Sequence, residues 1–425
     1  LENIACPPEE RMRHQTRDRF WKHASVCEDY SRIACPVFAV GGWLDGYTDA
    51  IPRLLKNLKV PRRGLIGPHA HQWGQSQRAP GPAIGFLQEM LRWWDHWLKG
   101  EETGIMAEPV LRAWIQEDIP AKSWYADCPG RWVGEQTWPA KRIKAQRFFL
   151  NGEGLGARKG RDTPKLTVSP QTLGLAGGEW CPYGTGGEGP EFPGDQRYDD
   201  GASLCFDSAP LKQTTEILDA AQVVLDLSVD KPTAFVCVRL NDVKPDGSVA
   251  RAAYAVLNLT HRDGHDKVKQ LVPGKRYKVK VRLSDTAYSF GKDHRLRVAV
   301  STSYWPMIWP SPEPVALTLH TGTSTLDLPV RPLRGGPKLR AFEPAEEAAP
   351  MAVKQLTQAP GPQHRDTRCA DRPGRGLVGT WQWRLPDRGS RHGVRPQHDR
   401  AHGDYRRRPA LGRNRSDTDQ SHETR

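Results

Sequence analysis

The 425-residue sequence contains no C-x-x-C pair, no Cys/His cluster at zinc-ligand spacing and no G-x-S-x-G. Its eight cysteines, Cys6, Cys27, Cys35, Cys128, Cys181, Cys205, Cys237 and Cys369, are scattered. That scatter excludes zinc fingers, zinc ribbons and thioredoxin-like redox motifs. In a chain of this size such cysteines read as reduced, buried or half-buried thiols, which favours a cytoplasmic location. Long apolar runs are also lacking. The longest, residues 36–43, is far short of the roughly 20 residues a membrane helix needs. Residues 1–30 are polar and charged, without the apolar stretch of a secretory signal. No internal repeat is present. The sequence opens on Leu1 rather than Met, which suggests that it starts inside a longer protein.

Lysine disappears after Lys354, and apolar periodicity goes with it. Residues 361–425 hold fifteen Arg against seven Asp and one Glu, a net +7 of the chain's +13. The preceding 360 residues mix both signs, as a solvated surface does. The net charge therefore does not argue for nucleic-acid binding, since it has no basic patch within a fold behind it. Residues 346–425 read either as a disordered basic tail or, better, as a GC-rich gene translated out of frame. Neither reading gives this stretch a fold.

What is there divides into two zones of different period. In residues 1–105 short apolar runs alternate with helical spacing. Residues 33–42 form a β-like run ending in a Gly pair, and 47–58 read as a helix through Ile51, Leu54, Leu55 and Leu58. Residues 63–67 are a second short strand. Leu87, Met90, Leu91, Trp94 and Leu98 then recur at helical spacing before Gly100. Strand, helix, strand, helix is the order of a parallel α/β sheet. From about 106 to 345 the period becomes two, as in Val223, Leu225, Leu227 and Val229 or Tyr277, Val279, Val281 and Leu283. Alternation of that kind, with Gly/Pro turns and no convincing helix, predicts antiparallel sheets packed face to face in a β-sandwich or jelly roll. The Gly/Pro-rich excursion of residues 174–201 is either a functional loop or a floppy insertion.

The chemistry lies at two successive strand ends. Gly41-Gly42-Trp43-Leu44-Asp45-Gly46-Tyr47 follows the first strand, and Gly67-Pro68-His69-Ala70-His71-Gln72-Trp73 follows the second. In an open parallel sheet the carboxyl ends of strands collect the catalytic side chains. Asp before His, one helix apart, matches the last two members of a triad that runs Ser, Asp, His. The carboxylate would fix the imidazole tautomer, and the free nitrogen would serve as base and then as acid. Alone, Asp45-Gly46 is a turn signal and a loop histidine is usually just solvated. The nucleophile is not evident: Gly74-Gln75-Ser76-Gln77-Arg78 and Gly322-Thr323-Ser324-Thr325-Leu326 both lack the second glycine. Trp93, Trp94 and Trp97 read as core and interface filler.

On these motifs, residues 17–332 resemble the carboxyl-terminal part of the cocaine-esterase and Xaa-Pro dipeptidyl-peptidase (CocE/NonD) family of serine hydrolases. In that family a Gly-Gly-Trp-x-Asp-Gly motif carries the triad Asp and a Gly-Pro-x-x-His motif the triad His, which correspond here to Asp45 and His71. Trp97-Leu98-Lys99-Gly100 resembles the end of the hydrolase domain. The runs 204–211 and 238–247 resemble the following jelly roll, and Asp293-His294-Arg295 stands where the family has Gly-His-Arg. His69 stands where the family often has Trp, so a second imidazole lies nearby. The resemblance implies a partial α/β-hydrolase domain over 1–105, whose start around 18–25 would be the end of a helical cap. A jelly-roll, galactose-binding-like sandwich would follow over 106–345. It implies cleavage of ester, amide or Xaa-Pro peptide bonds in small substrates through an acyl-serine, with no cofactor, metal, nucleic-acid or membrane partner. The serine and oxyanion donors would lie upstream of Leu1, which implies that this chain is inactive alone. The rival reading is a non-catalytic carbohydrate- or ligand-binding sandwich. The substrate and the oligomeric state are not legible.

Overall fold

A computed structural model describes residues 7–185, 190–346 and 348–349. The expected disordered or out-of-frame tail lies almost wholly outside the described residues. Two short helices lead in, α1 (Pro7–Arg13) and α2 (Arg19–His23). Asp18 caps α2, its carboxylate accepting the Phe20 N–H at 2.9 Å. Next come β1 (Val37–Gly42), α3 (Ala50–Asn57), β2 (Arg62–Gly67), α4 (Phe86–Trp94) and β3 (Leu111–Glu117). The strands β1, β2 and β3 are mutually parallel, with Val37 opposite Arg62 and Gly42 opposite Gly67. The expected helix over 47–58 begins only at Ala50, because residues 45–48 form a capped turn of their own. Ile51 and Leu55 of α3 pack on Ala39, Ile66 and Leu111 of the sheet. Leu55, Ile66 and Leu111 are fully buried, and each such side chain contributes about 1.5–3 kcal/mol. After α4 the chain tightens into a π-helical turn, Asp95–Lys99, and stops at Gly100, whose φ of +74° suits glycine.

Twelve more strands follow: β4 (Gly130–Glu135), β5 (Lys144–Asn151), β6 (Gly154–Gly156), β7 (Pro164–Val168), β8 (Leu204–Asp207), β9 (Thr215–Val229), β10 (Phe235–Val243), β11 (Val249–Asn258), β12 (Tyr277–Phe290), β13 (Arg295–Ser301), β14 (Ala316–His320) and β15 (Thr325–Arg331). The structure is thus mostly β, with one short α-helix, α5 (Arg197–Asp200), and a 3-10 turn, Leu259–His261, among the described residues of this zone. An eleven-stranded sheet runs β1-β2-β3-β12-β9-β15-β5-β6, with β4 beside β3 and β14 between β9 and β7. A four-stranded sheet runs β11-β10-β13-β8. The two sheets share one core. Val223, Leu225, Val279 and Val281 of the large sheet meet Val236, Val238, Val298 and Val300 of the small one. The period-two alternation of the sequence is the physical cause, since it gives each strand one dry face.

The pairing of β3 with β12, also parallel, makes the α/β part and the β-rich part a single continuous sheet. Behind β10 a buried polar network holds the small sheet to the loop before β8. Arg239, fully buried, lies 3.1 Å from Asp200, and its other nitrogen donates to Gln196 at 3.1 Å. Arg297 forks onto Asp207 at 2.6 and 2.7 Å, and His294 meets the buried Asp242 at 2.8 Å. Among the described residues no helix is long and apolar enough to cross a membrane.

Candidate active site

Parallel register brings the ends of β1 and β2 side by side, and the two loops that follow are stitched together. The Trp43 N–H donates to the Gly67 carbonyl at 3.0 Å, and the Leu44 N–H donates to the His69 carbonyl at 3.2 Å. This approach is possible only because Gly42 has no side chain: a Cβ there would lie 2.6 Å from the His69 carbonyl carbon. The Gly-Gly pair is therefore a close-packing device. The indole N–H of Trp43 anchors the first loop to the Trp114 carbonyl of β3 at 2.7 Å.

Asp45 sits on that loop with one oxygen already used. Its Oδ1 accepts the Tyr47 N–H at 2.9 Å, which fixes the carboxylate's rotamer. The Thr48 hydroxyl reinforces the turn by donating to the Asp45 carbonyl at 2.8 Å and to the Gly42 carbonyl. The remaining oxygen, Oδ2, faces Nδ1 of His71 at 3.1 Å. Asp45 is well covered, with its side chain 14% exposed, whereas the His71 ring is 40% exposed. Among the described residues Nε2 of His71 has no hydrogen-bond partner, and His71 lines a cleft of about 780 Å³ together with Val40, Asp45, Trp73 and Tyr183. With Nδ1–H donating to the carboxylate, Nε2 carries the lone pair.

His69 takes a different place. It is buried, its Nε2 donates to the Pro82 carbonyl at 3.2 Å, and burial pushes its pKa down to about 4. A Cβ at Gly67 would collide with the His69 ring. The two imidazoles that the sequence places two apart are thus separated by the pleat of the loop: one enters the core and one meets Asp45. Ser76 lines the same cleft as His71, but its hydroxyl accepts the Arg78 N–H at 3.3 Å and makes no hydrogen bond to His71.

A third wall comes from far along the chain. The excursion of residues 174–201 lays Trp180, Cys181, Pro182 and Tyr183 against the Asp45 and His71 loops. The His71 N–H donates to the Pro182 carbonyl at 2.8 Å. Tyr183 stands edge-on to the His71 ring at 5.3 Å between centroids, Tyr47 lies 5.8 Å away on another side, and Trp180 meets Tyr47 at 5.4 Å. Sequence reasoning did not single these residues out. The available signal was the length of the excursion together with its aromatic residues.

Comparison with known proteins agrees with this architecture. Residues 103–353 match the X-Pro dipeptidyl-peptidase C-terminal non-catalytic domain, and residues 5–73 match the X-Pro dipeptidyl-peptidase (S15 family) domain. The chain belongs to the X-Pro dipeptidyl-peptidase and cocaine-esterase family of hydrolases. A putative serine esterase of Mycobacterium bovis is 27% identical over 305 residues, covering 64% of this chain and 46% of the relative. The cocaine esterase of a Rhodococcus species is 23% identical over 317 residues, covering 69% of this chain and 53% of the esterase. The chain thus spans about half the length of the curated relatives it matches. Among solved structures, a CocE/NonD family hydrolase of Staphylococcus aureus superposes with a TM-score of 0.58 at 14% identity, covering 77% of this chain and 60% of that one. An alpha-amino acid ester hydrolase does so with a TM-score of 0.58 at 17% identity, covering 76% and 60%. At these identities the structural likeness speaks for the fold.

Proposed function

We propose that Asp45 and His71 are the carboxylate and imidazole of a serine-hydrolase triad that cleaves ester or amide bonds through an acyl-enzyme. The observation that carries the reading is the 3.1 Å Asp45 Oδ2 to His71 Nδ1 contact at adjacent strand ends, with His71 lining an open cleft. Family membership supports it, and so does the Ser, Asp, His order of such triads. In this reading Asp45 holds the Nδ1–H tautomer, and Nε2 takes the serine proton as the acyl bond forms. The imidazolium then returns that proton to the leaving alcohol or amine, and water repeats the cycle to free the acid. The serine and the oxyanion donors come from a segment that this sequence does not include, so the chain alone is inactive. Residues 1–105 are the remainder of an α/β-hydrolase domain and 106–345 a jelly roll. Residues 346–425 stand outside both. Tyr47, Trp180 and Tyr183 form an aromatic wall that would shelter the acyl-enzyme from bulk water. A carbohydrate-binding sandwich has no need of an imidazole oriented by a carboxylate.

The test is turnover of a chromogenic ester by this chain alone and by the chain joined to the coding sequence upstream of it. The joined enzyme should show an acyl-enzyme burst. Asp45→Asn should cost on the order of 10⁴ in kcat by favouring the wrong tautomer, and His71→Ala at least as much. Ser76→Ala should be silent. Near-normal rates for both Asp45→Asn and His71→Ala would sink the triad. Strong turnover by the chain alone that Ser76→Ala abolishes would make Ser76 the nucleophile.

A further inference from the structure

The same loop contact sets three different metal-ligating groups face to face. A carboxylate oxygen of Asp45, an imidazole nitrogen of His71 and the Sγ of Cys181 all lie within 4.8 Å of one another. They come from the ends of β1 and β2 and from the excursion 110 residues beyond His71, so no spacing rule in the sequence brings them together.

The placement of Cys181 is held from both sides. On one side Trp180 packs over Gly46 and against Tyr47. On the other, the Pro182 carbonyl receives the His71 N–H at 2.8 Å, and the Gly184 carbonyl receives the Ala79 N–H at 3.1 Å. Glu191 closes the turn, accepting from the Gly184 N–H, the Thr185 N–H at 3.0 Å and the Thr185 hydroxyl at 2.7 Å. The thiol is thus tied to the backbone of the residue whose ring it faces. All three donors are partly exposed, which leaves an entry path.

We propose that Asp45, His71 and Cys181 form a binding site for a thiophilic divalent cation of the Zn²⁺ class, and that occupancy silences the His71 base. The donor set selects the ion. Sulfur and imidazole suit zinc, while magnesium and calcium seek all-oxygen sites. Zinc bonds of about 2.0–2.3 Å place tetrahedral ligands roughly 3.3–3.6 Å apart, so a cluster within 4.8 Å needs to contract by about 1.5 Å at most. Binding takes up the cation and releases the thiol proton. Through Nδ1 the metal replaces the proton shared with Asp45; through Nε2 it occupies the lone pair that would accept the serine proton. Either way the base is blocked, and the fourth position stays open to solvent. The silencing rests on the hydrolase reading above, whereas the binding does not.

The experiment uses cobalt(II) as a spectroscopic substitute on the full chain, with Cys6, Cys27, Cys35 and Cys369 replaced by serine to remove competing thiols. One Co²⁺ per chain should bind with a thiolate-to-cobalt charge-transfer band and tetrahedral visible bands, both erased by Zn²⁺ and untouched by Mg²⁺. C181S should remove the charge-transfer band, and C181S and H71Q should each weaken binding at least about tenfold, by the scale on which even outer-shell partners act. In the unaltered chain, Zn²⁺ should protect Cys181 from iodoacetamide while exposed Cys27 still reacts, as peptide mass spectrometry reads. That arm needs no variant to fold. A charge-transfer band that survives C181S, affinity unchanged by H71Q, or alkylation of Cys181 indifferent to Zn²⁺ overturns the site. In the joined enzyme, Zn²⁺ should inhibit ester turnover reversibly by chelator, and C181S should blunt the inhibition. Full turnover at Zn²⁺ concentrations that saturate the cobalt site overturns the silencing. A joined enzyme without activity counts against the triad and leaves the cobalt result standing.

Discussion

The point where the Asp45 and His71 loops touch leaves no room for a side chain, and Gly42→Ala probes it. A methyl on Gly42 would lie 2.6 Å from the His69 carbonyl carbon and closer still to its oxygen. Ordinary carbon contacts are about 3.5–4.0 Å, so the loops must part by about 1 Å. Neither partner is a flexible side chain that could swing aside. The Leu44 N–H to His69 carbonyl bond, now 3.2 Å, would stretch past any useful hydrogen-bond length. Overpacking costs about 1–3 kcal/mol and the lost bond about 1 more. We expect a destabilisation of about 2–4 kcal/mol, read as a lowered urea midpoint in tryptophan fluorescence. Gly152→Ala is the matched control. A Cβ there meets nothing within 4 Å, so its effect should stay within about 0.5 kcal/mol. In the joined enzyme the same 1 Å would spoil the Asp45 to His71 contact, with a loss on the order of 10² in kcat. A Gly42→Ala chain as stable as the Gly152→Ala control would refute the close-packing argument and, with it, the reason given for the Gly-Gly pair.

Other consequences follow from the buried polar groups. Arg239→Met should cost about 3–5 kcal/mol, because it strands the buried Asp199 carboxylate and leaves the buried Asp200 with Arg297 alone; chemical denaturation measures it, and a neutral result would mean that Arg297 suffices. Burial pushes the Asp285 carboxyl up to about 8 despite the adjacent Arg282. Its folded pKa thus lies above its unfolded one, so its contribution is full below about pH 4 and is lost as pH rises through about 8. Asp285→Asn should therefore flatten the decline of the urea midpoint between about pH 4 and pH 8, the window this linkage sets. An unchanged slope would show that Arg282 keeps the carboxylate ionised.

Much of this protein is legible in its local pattern. The strand, helix, strand order of β1, α3 and β2 follows from apolar periodicity, and the alternation through 223–229 and 277–283 announces the two-sheet core. Both are properties of short windows, where side-chain direction repeats with the backbone's own period. The positions of Asp45 and His71 at strand ends follow from the same windows, because a parallel crossover leaves little freedom in where its loops emerge.

What no window contains is the meeting of distant segments. The sequence offers two imidazoles two residues apart, and only the packed structure sends His69 into the core against Pro82 while His71 meets Asp45. The excursion of 174–201 could be read as functional or floppy. Tertiary packing seats Cys181 and Tyr183 of that excursion beside His71, with backbone hydrogen bonds from His71 to Pro182 and from Ala79 to Gly184. The parallel seam of β3 and β12, which joins the two compositional zones in one sheet, was equally out of reach. Periodicity tells a strand which face is dry, but its neighbours are chosen by the whole chain's packing, to which Gly42, His69 and Trp180 contribute contacts that no short window contains.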